Sequence, residues 1–218
     1  MALAVTGEQY EPDRVAAGHR VAEAFALHLA AIHPRTAAAA LGQVTYAVLP
    51  TGSDEQGLRV AESFLGRIGG RVPAVIGVGR LAARPVELRR SRADADRALR
   101  VLGSGRTRRR AARLSDVYAA SLLEELTDRM AAEDDLPDGP VIRLLAYDAE
   151  HSTALTETLD AWLSTFGDVA AAAAAVHIHP NTFRYRLKRL SVVADIDLDD
   201  PEARFEAMLQ LRLRPPHA

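Results

Sequence analysis

The sequence predicts an α+β fold, with strands and helices alternating over one sheet in the N-terminal part and helices alone in the C-terminal part. Three observations carry this reading. Between Met1 and Arg113, β-branched or alternating apolar runs take turns with stretches whose apolar residues recur at helical spacing. After Ser115 only the helical spacing continues. From His151 onward, helical segments are short and punctuated by Gly, Asp and Pro at positions that stop or start helices.

Met1–Val5 reads as a short apolar strand, followed by turn residues up to Pro12. A helix over 13–32 carries Val15, Ala22, Phe25, Leu29 and Ile32 on one side. In 43–49, Val44, Tyr46 and Val48 alternate as in a strand, closed by Pro50-Thr51-Gly52. Residues 58–68 are helical through Val60, Phe64, Leu65 and Ile68, and Gly69-Gly70 ends the helix. The β-branched run 73–78 is a buried strand, and Pro85 begins a helix to about Leu102 through Leu88, Ala95 and Leu99. Thr107–Arg113 is basic and reads equally as loop or edge strand. Next comes a helix over 116–132 with Val117, Leu122, Leu123, Leu126 and Met130. The acidic stretch 133–140, with its Pro and Gly, is a hinge or connecting loop, and 141–147 is a short helix or extended piece.

Composition bounds the function. The 218 residues are 48% hydrophobic and 26% charged, within the ordinary range for a soluble globular protein, and suffice for one large domain or two small ones. With no cysteine there is no disulfide framework and no thiolate chemistry, which fits a reducing cytoplasm. No apolar stretch reaches membrane-spanning length, so a soluble, cytoplasmic protein is expected. The net charge of −2 does not by itself favour nucleic acid, but its distribution is uneven. Arg80–Arg113 holds 12 arginines against three acids (Glu87, Asp94, Asp96). Pro180–Leu190 holds four basic residues and no acid.

That last stretch is the most informative. Helices are expected over 152–165 (Leu155, Leu159, Trp162, Leu163), over 169–176 behind the cap Asp168, and from Pro180 or Asn181 onward. Only His177-Ile178-His179 separates the last two, the spacing of a helix-turn-helix unit. Val169, Ala173 and Val176 would face Phe183, Leu187 and Leu190, with Ile178 plugging the turn. The alanine run 170–175 is helix-forming and lets two helices cross closely. At about 100° per residue with Phe183 inward, Asn181, Tyr185 and Lys188 point away from the core, and Thr182, Arg184 and Arg189 sit at the margins. Arg186 lies nearer the core, where it reaches either an acid on a neighbouring helix or a phosphate past the edge. Asn pairs with adenine, and Arg or Lys with guanine, in the major groove. Thr and Tyr hydroxyls and flanking arginines suit phosphates. Asp200-Pro201 opens a last helix with Phe205, Met208, Leu209 and Leu213 inward.

Other readings compete. The basic helix could dock an acidic protein partner, and the N-terminal part could be a degenerate nucleotide-binding sensor. His177 and His179 form an HxH pair, but two ligands on a turn without partners do not make a metal site. Gly77 and Gly79 lack the third glycine of a dinucleotide fingerprint, so a tight strand-to-helix turn is the better account. Arg106–Arg113 reads as a solvated run rather than a second nucleic-acid arm.

The string His179-x-Asn181-Thr182-Phe183-Arg184-Tyr185-Arg186-Leu187, with Thr158-Leu159, Trp162-Leu163 and Leu198-Asp199 around it, resembles the PucR-type helix-turn-helix. That is the C-terminal DNA-binding module of purine-catabolism and sugar-diacid (CdaR-like) regulators, and the likeness runs from about His151 to Leu213. Leu144–Asp148 resembles the lead-in these regulators carry. Ile76-Gly77-Val78-Gly79 with Ser91, Ala95 and Ala98-Leu99 is similar to the family's GGDEF-like domain. The resemblance implies a GGDEF-like, ferredoxin-like α/β sandwich over 1–114, a helical connector over 115–150, and the helix-turn-helix domain over 151–218. Arg71 follows Gly69-Gly70 where a diguanylate cyclase needs acids, so the first domain should be catalytically degenerate. Pro180 stands where the family usually has a basic residue. A sensor domain that usually precedes the GGDEF-like one is expected to be missing, in a shortened chain or a short member.

The resulting expectation is a non-enzymatic transcriptional regulator. It would bind double-stranded DNA as a homodimer, without metal or cofactor, through Asn181, Thr182, Arg184, Tyr185, Arg186, Lys188 and Arg189. The GGDEF-like domain would supply dimer contacts or relay a signal.

Overall fold

The computed structural model describes residues 1–6, 11–70, 72–133 and 138–214. The expected turn before Pro12, the Val15 side chain and residues 134–137 of the expected loop 133–140 lie outside the described residues. The chain divides into two compact units, Met1–Glu125 and Leu126–Ala218.

The first unit runs β1 (Ala2–Val5), α1 (Glu11–Ile32), β2 (Ala37–Leu41), β3 (Val44–Val48), α2 (Asp54–Ile68), β4 (Ala74–Val78), α3 (Leu88–Gly103) and β5 (Ala111–Arg113). The strand order is β2-β3-β1-β4-β5. β1 lies antiparallel to both β3 and β4, so the first four strands with α1 and α2 form the β-α-β-β-α-β pattern of ferredoxin-like folds. β5 adds a parallel edge beside β4, as the crossover through α3 requires.

Strand alternation distributes the core between two faces. Leu3, Ala74, Ile76 and Val78 meet Val21, Phe25 and Leu29 of α1 and Val60, Phe64 and Leu65 of α2. Ala2, Val75 and Ala112 meet Ala95, Ala98, Leu99 and Leu102 of α3 on the other side. The stripe on α1 is therefore Val21–Phe25–His28–Leu29, whereas Ile32, expected inward, is exposed.

Gly77 and Gly79 have a different role from the turn expected of them. A Cβ at Gly77 would lie 2.1 Å from the Ala95 carbonyl oxygen, and one at Gly79 would lie 1.9 Å from that of Ser91. Both glycines let the backbone of α3 approach β4, and the Ser91 hydroxyl donates to the Arg80 carbonyl beside them at 2.7 Å. Gly77, Gly79, Ser91 and Ala95 are thus a single helix-on-strand contact.

β2 is absent from the sequence-based reading. Its residues are Ala37–Leu41, and alanine favours helix. The strand exists because Gly42, at φ 62°, makes a two-residue turn that lays Leu41 opposite Val44.

α4 (Tyr118–Glu133) crosses the boundary between the units. Of its expected core residues Val117, just ahead of it, is buried, whereas Leu122 and Leu126 are exposed.

The second unit contains α5 (Pro140–His151), α6 (Leu155–Ser164), α7 (Val169–Ala175), α8 (Pro180–Ala194) and α9 (Pro201–Leu213). The segment 141–147 is helix, and Val141 and Leu144 of α5 are fully buried with Leu159, Phe183 and Leu190. The helical core of this unit therefore starts ahead of His151. The α9 register differs in part from expectation: Met208 packs against this core as expected, but Ala207 and Gln210 are buried while Phe205 is 62% exposed. Gln210 decides this register, because its Oε1 accepts from the Val141 N–H at 3.1 Å. That donor lies in the first turn of α5, where no helical partner exists.

Residues in left-handed conformation end each of α5 to α8: Ser152, Phe166, His177 and Asp195. Phe166 is the costly one, with φ 54° and a ring 97% exposed. Its N–H donates to the Leu163 carbonyl and that of Gly167 to Trp162, which is the Schellman pattern where Gly or Asn normally stands. Phe166→Asn is therefore expected to stabilise the chain by about 0.5–1 kcal/mol, through relief of the left-handed penalty. Thermal unfolding checks it; a lower midpoint would mean that the ring makes a contact worth more than the strain. Among the described residues, no helix is long and apolar enough to cross a membrane.

Candidate nucleic-acid interface

Two helices joined by a tight turn form the candidate face. Asp168 caps α7, its Oδ1 accepting from the Ala170 and Ala171 N–H groups at 2.8 and 3.0 Å. α7 closes with His177 left-handed and the Ile178 N–H on the Ala173 carbonyl at 3.0 Å, turning the chain sharply. His179 then caps α8: its Nδ1 accepts from the Asn181 N–H at 3.1 Å, and Pro180 occupies the first helical position. The His177–His179 pair thus forms the connection between the two helices. Among the described residues no three His, Asp or Glu side chains stand together as metal ligands.

The inner side of α8 is apolar. Phe183 and Leu190 are completely buried, and Ala173 of α7 is 1% exposed beside them. Val169, Val176, Ile178 and Leu187 are half-buried around the same cluster. Ala172 and Ala173 are the close-packed members of the alanine run, and the other alanines of α7 face outward.

Asn181, Thr182, Arg184, Tyr185, Lys188 and Arg189 are all exposed, Tyr185 at 71%, and they share an outer surface of α8 that carries no acid. Arg186 is half-buried and makes no ion pair with a described residue. The acid on a neighbouring helix, one of its two expected partners, is therefore not found. Two contacts order this surface in ways the sequence did not reveal. The Arg184 Nη1 donates to the Asn181 Oδ1 at 3.0 Å, holding the amide upright on the first turn. The Arg189 Nη2 donates to the Tyr147 hydroxyl of α5 at 2.7 Å, which pushes the guanidinium pKa up from its ordinary value. Arg143 of α5 donates twice to the Ala194 carbonyl, at 2.9 and 2.6 Å, closing the far end of α8.

α5 is held in turn by Asp148. Burial works to raise this carboxyl, but bonds from the Thr153 hydroxyl and from the Thr156 and Leu155 N–H groups outweigh it and keep its pKa below the usual range. The carboxylate thereby caps α6 from seven residues upstream of Leu155 and ties two of the supporting helices together.

Three arginines of the basic run in the first unit are structural. Arg110 donates to the carbonyls of Gly69, Val72 and Ala74, at 2.8, 3.1 and 3.2 Å. Arg113 engages Asp116 and Glu55, and Arg106 forms a largely buried pair with Glu124. Neither a solvated loop nor a nucleic-acid arm describes these three; they satisfy backbone carbonyls and carboxylates that the fold brings to them.

Residues 155–213 match the model of the PucR C-terminal helix-turn-helix domain, and residues 1–101 match that of the GGDEF-like domain. The chain is 38% identical over 72 residues to the DNA-binding transcriptional activator AdeR of Bacillus subtilis, covering 33% of this chain and 17% of AdeR. It is 39% identical over 70 residues to the proline-responsive transcriptional activator PutR of the same organism, covering 32% of this chain and 17% of PutR. An uncharacterized protein from the pkwA 5′ region of Thermomonospora curvata shares 38% identity over 91 residues, 42% of this chain and 47% of that protein. The matched stretch is thus only about a sixth of the length of AdeR or PutR. With a GGDEF-like domain followed in order by a PucR-type helix-turn-helix domain on one polypeptide, the chain belongs to the PucR-type regulator family.

Proposed function

We propose that this protein is a DNA-binding transcriptional regulator that lays the outer surface of α8 in the major groove of duplex DNA. One observation carries the reading: Phe183 and Leu190 are fully buried, and the opposite surface of the same helix presents basic and amide side chains with no acid among them. Asn181 and Lys188 read base edges, with Tyr185 beside them. Thr182, Arg184, Arg186 and Arg189 contact the phosphates that fix the register. Pro180 removes one basic contact from the start of the helix, and Arg184 is close enough to Asn181 to serve both the amide and the backbone. The transcriptional activators to which the chain is similar support the regulatory role.

The protein acts as a homodimer on two half-sites, which for such dimers lie roughly 34–36 Å apart or at multiples of that. The first unit, non-catalytic, supplies dimer contacts or relays a signal to the second.

Affinity for duplex DNA is expected to fall steeply with salt, because each neutralised phosphate releases condensed counterions. With three phosphate-contacting arginines per helix, the slope of log affinity against log salt should be about −3 per protomer. Titration of a labelled duplex at several salt concentrations measures it. A flat response would point instead to an acidic protein as the partner of this helix.

A further inference from the structure

We propose that Tyr147, on α5 and outside the helix-turn-helix, is a positioning residue that holds Arg189 against a DNA phosphate and donates its own hydroxyl proton to the same phosphate. This rests on the reading above that α8 enters the groove. α8 has 15 residues, about 22 Å of helix. Arg189 is the tenth residue, roughly 13 Å from the start, and lies on the margin shared with Thr182 rather than on the base-facing line of Asn181, Tyr185 and Lys188. A side chain so placed meets the sugar-phosphate flank.

A free arginine there would lose rotamer freedom on binding. Here that loss is already incurred in the protein. The Arg189 Nη2 donates to the Tyr147 oxygen at 2.7 Å and the guanidinium lies 5.4 Å from the centre of the Tyr147 ring. The ring is itself clamped: His151, one turn further along α5, stacks on it at 4.0 Å and 13°, with its Nδ1 3.1 Å from the Tyr147 carbonyl oxygen. Because the phenolic oxygen accepts from Arg189, its own proton remains to be donated. The remaining Arg189 N–H groups and this O–H together form a rigid, phosphate-sized set of donors.

The contact is with backbone, so a mixed-sequence duplex about two helical turns long is a sufficient probe. Tyr147→Phe keeps the ring and its stacking and removes only the hydroxyl. It should weaken binding about three- to tenfold, as expected for one or two hydrogen bonds, with the thermal midpoint of the protein nearly unchanged. Arg189→Ala should weaken binding further and lessen the salt slope by about one. In the Arg189→Ala background, removal of the Tyr147 hydroxyl should cost less than it does alone, leaving only the loss of its own bond to the phosphate. Wild-type affinity for Tyr147→Phe would overturn the assignment, and so would full additivity of the two changes. A lowered thermal midpoint with unchanged affinity would reduce the pair to a tie between two helices and overturn it equally. Absence of any duplex binding by the wild-type chain is a different result, which overturns the proposed function and this inference with it.

Discussion

Phe183→Ala is expected to lower the stability of the C-terminal unit by about 3–5 kcal/mol, the largest single effect among the substitutions considered. The ring is 0% exposed and sits among Val141, Leu144, Leu159, Trp162, Ala173 and Leu190, drawn from four helices. Its removal forfeits the transfer energy of an aromatic side chain and leaves a cavity that alanines on α7 are too small to fill. A domain of this size is stable by only about 5–15 kcal/mol, so the loss takes a large share of the total. The protein carries one tryptophan, Trp162, inside this same cluster. Denaturant unfolding followed by its fluorescence therefore reports on this core and not on the sheet of the first unit. The midpoint should move sharply down with little change in slope. A midpoint equal to wild type would mean that Phe183 is not the wedge holding α8 in place.

The second large effect falls on recognition and leaves folding alone. Asn181→Ala and Lys188→Ala should each weaken binding to a specific site by about 1–3 kcal/mol, roughly five- to 150-fold. Both side chains are exposed, and among the described residues the Asn181 side chain bonds only to exposed Arg184, so the Trp162 unfolding midpoint should stay where it is. The two changes differ in their salt signature. Asn181 is neutral, and its loss should leave the salt slope intact while discrimination between sites collapses. Lys188 on a base edge behaves likewise; on a phosphate its loss would weaken all sequences evenly and lessen the slope by about one. Protection mapping followed by titration of the protected site separates these outcomes. Wild-type affinity in both variants would move the recognition surface away from this side of α8.

The candidate face was readable in the sequence because it depends on neighbours within two turns. Phe183 and Leu190 recur at helical spacing, Asp168 and Asp200 stand immediately ahead of the helices they cap, and Pro180 and Pro201 occupy first-turn positions. Capping and periodicity are local, so the chain displays them in order. His179 shows where local reading falls short: its ring has a cap's geometry only once the αL turn at His177 has been made, and imidazole is not a usual capping group.

What escaped the sequence depends on residues far apart in the chain. An alanine stretch at 37–41 is a strand because β3 lies beside it, although alanine alone would choose helix. Gln210 turns α9 away from its apparent Phe205–Leu209 stripe, because the Val141 N–H needs an acceptor 69 positions away. Arg110 reaches carbonyls 36 to 41 residues upstream, and Arg189 finds its hydroxyl 42 residues upstream. Periodicity and capping are paid for within a few residues and so can be read along the chain. Unsatisfied donors and close backbone approaches acquire their partners only when the helices and strands have packed.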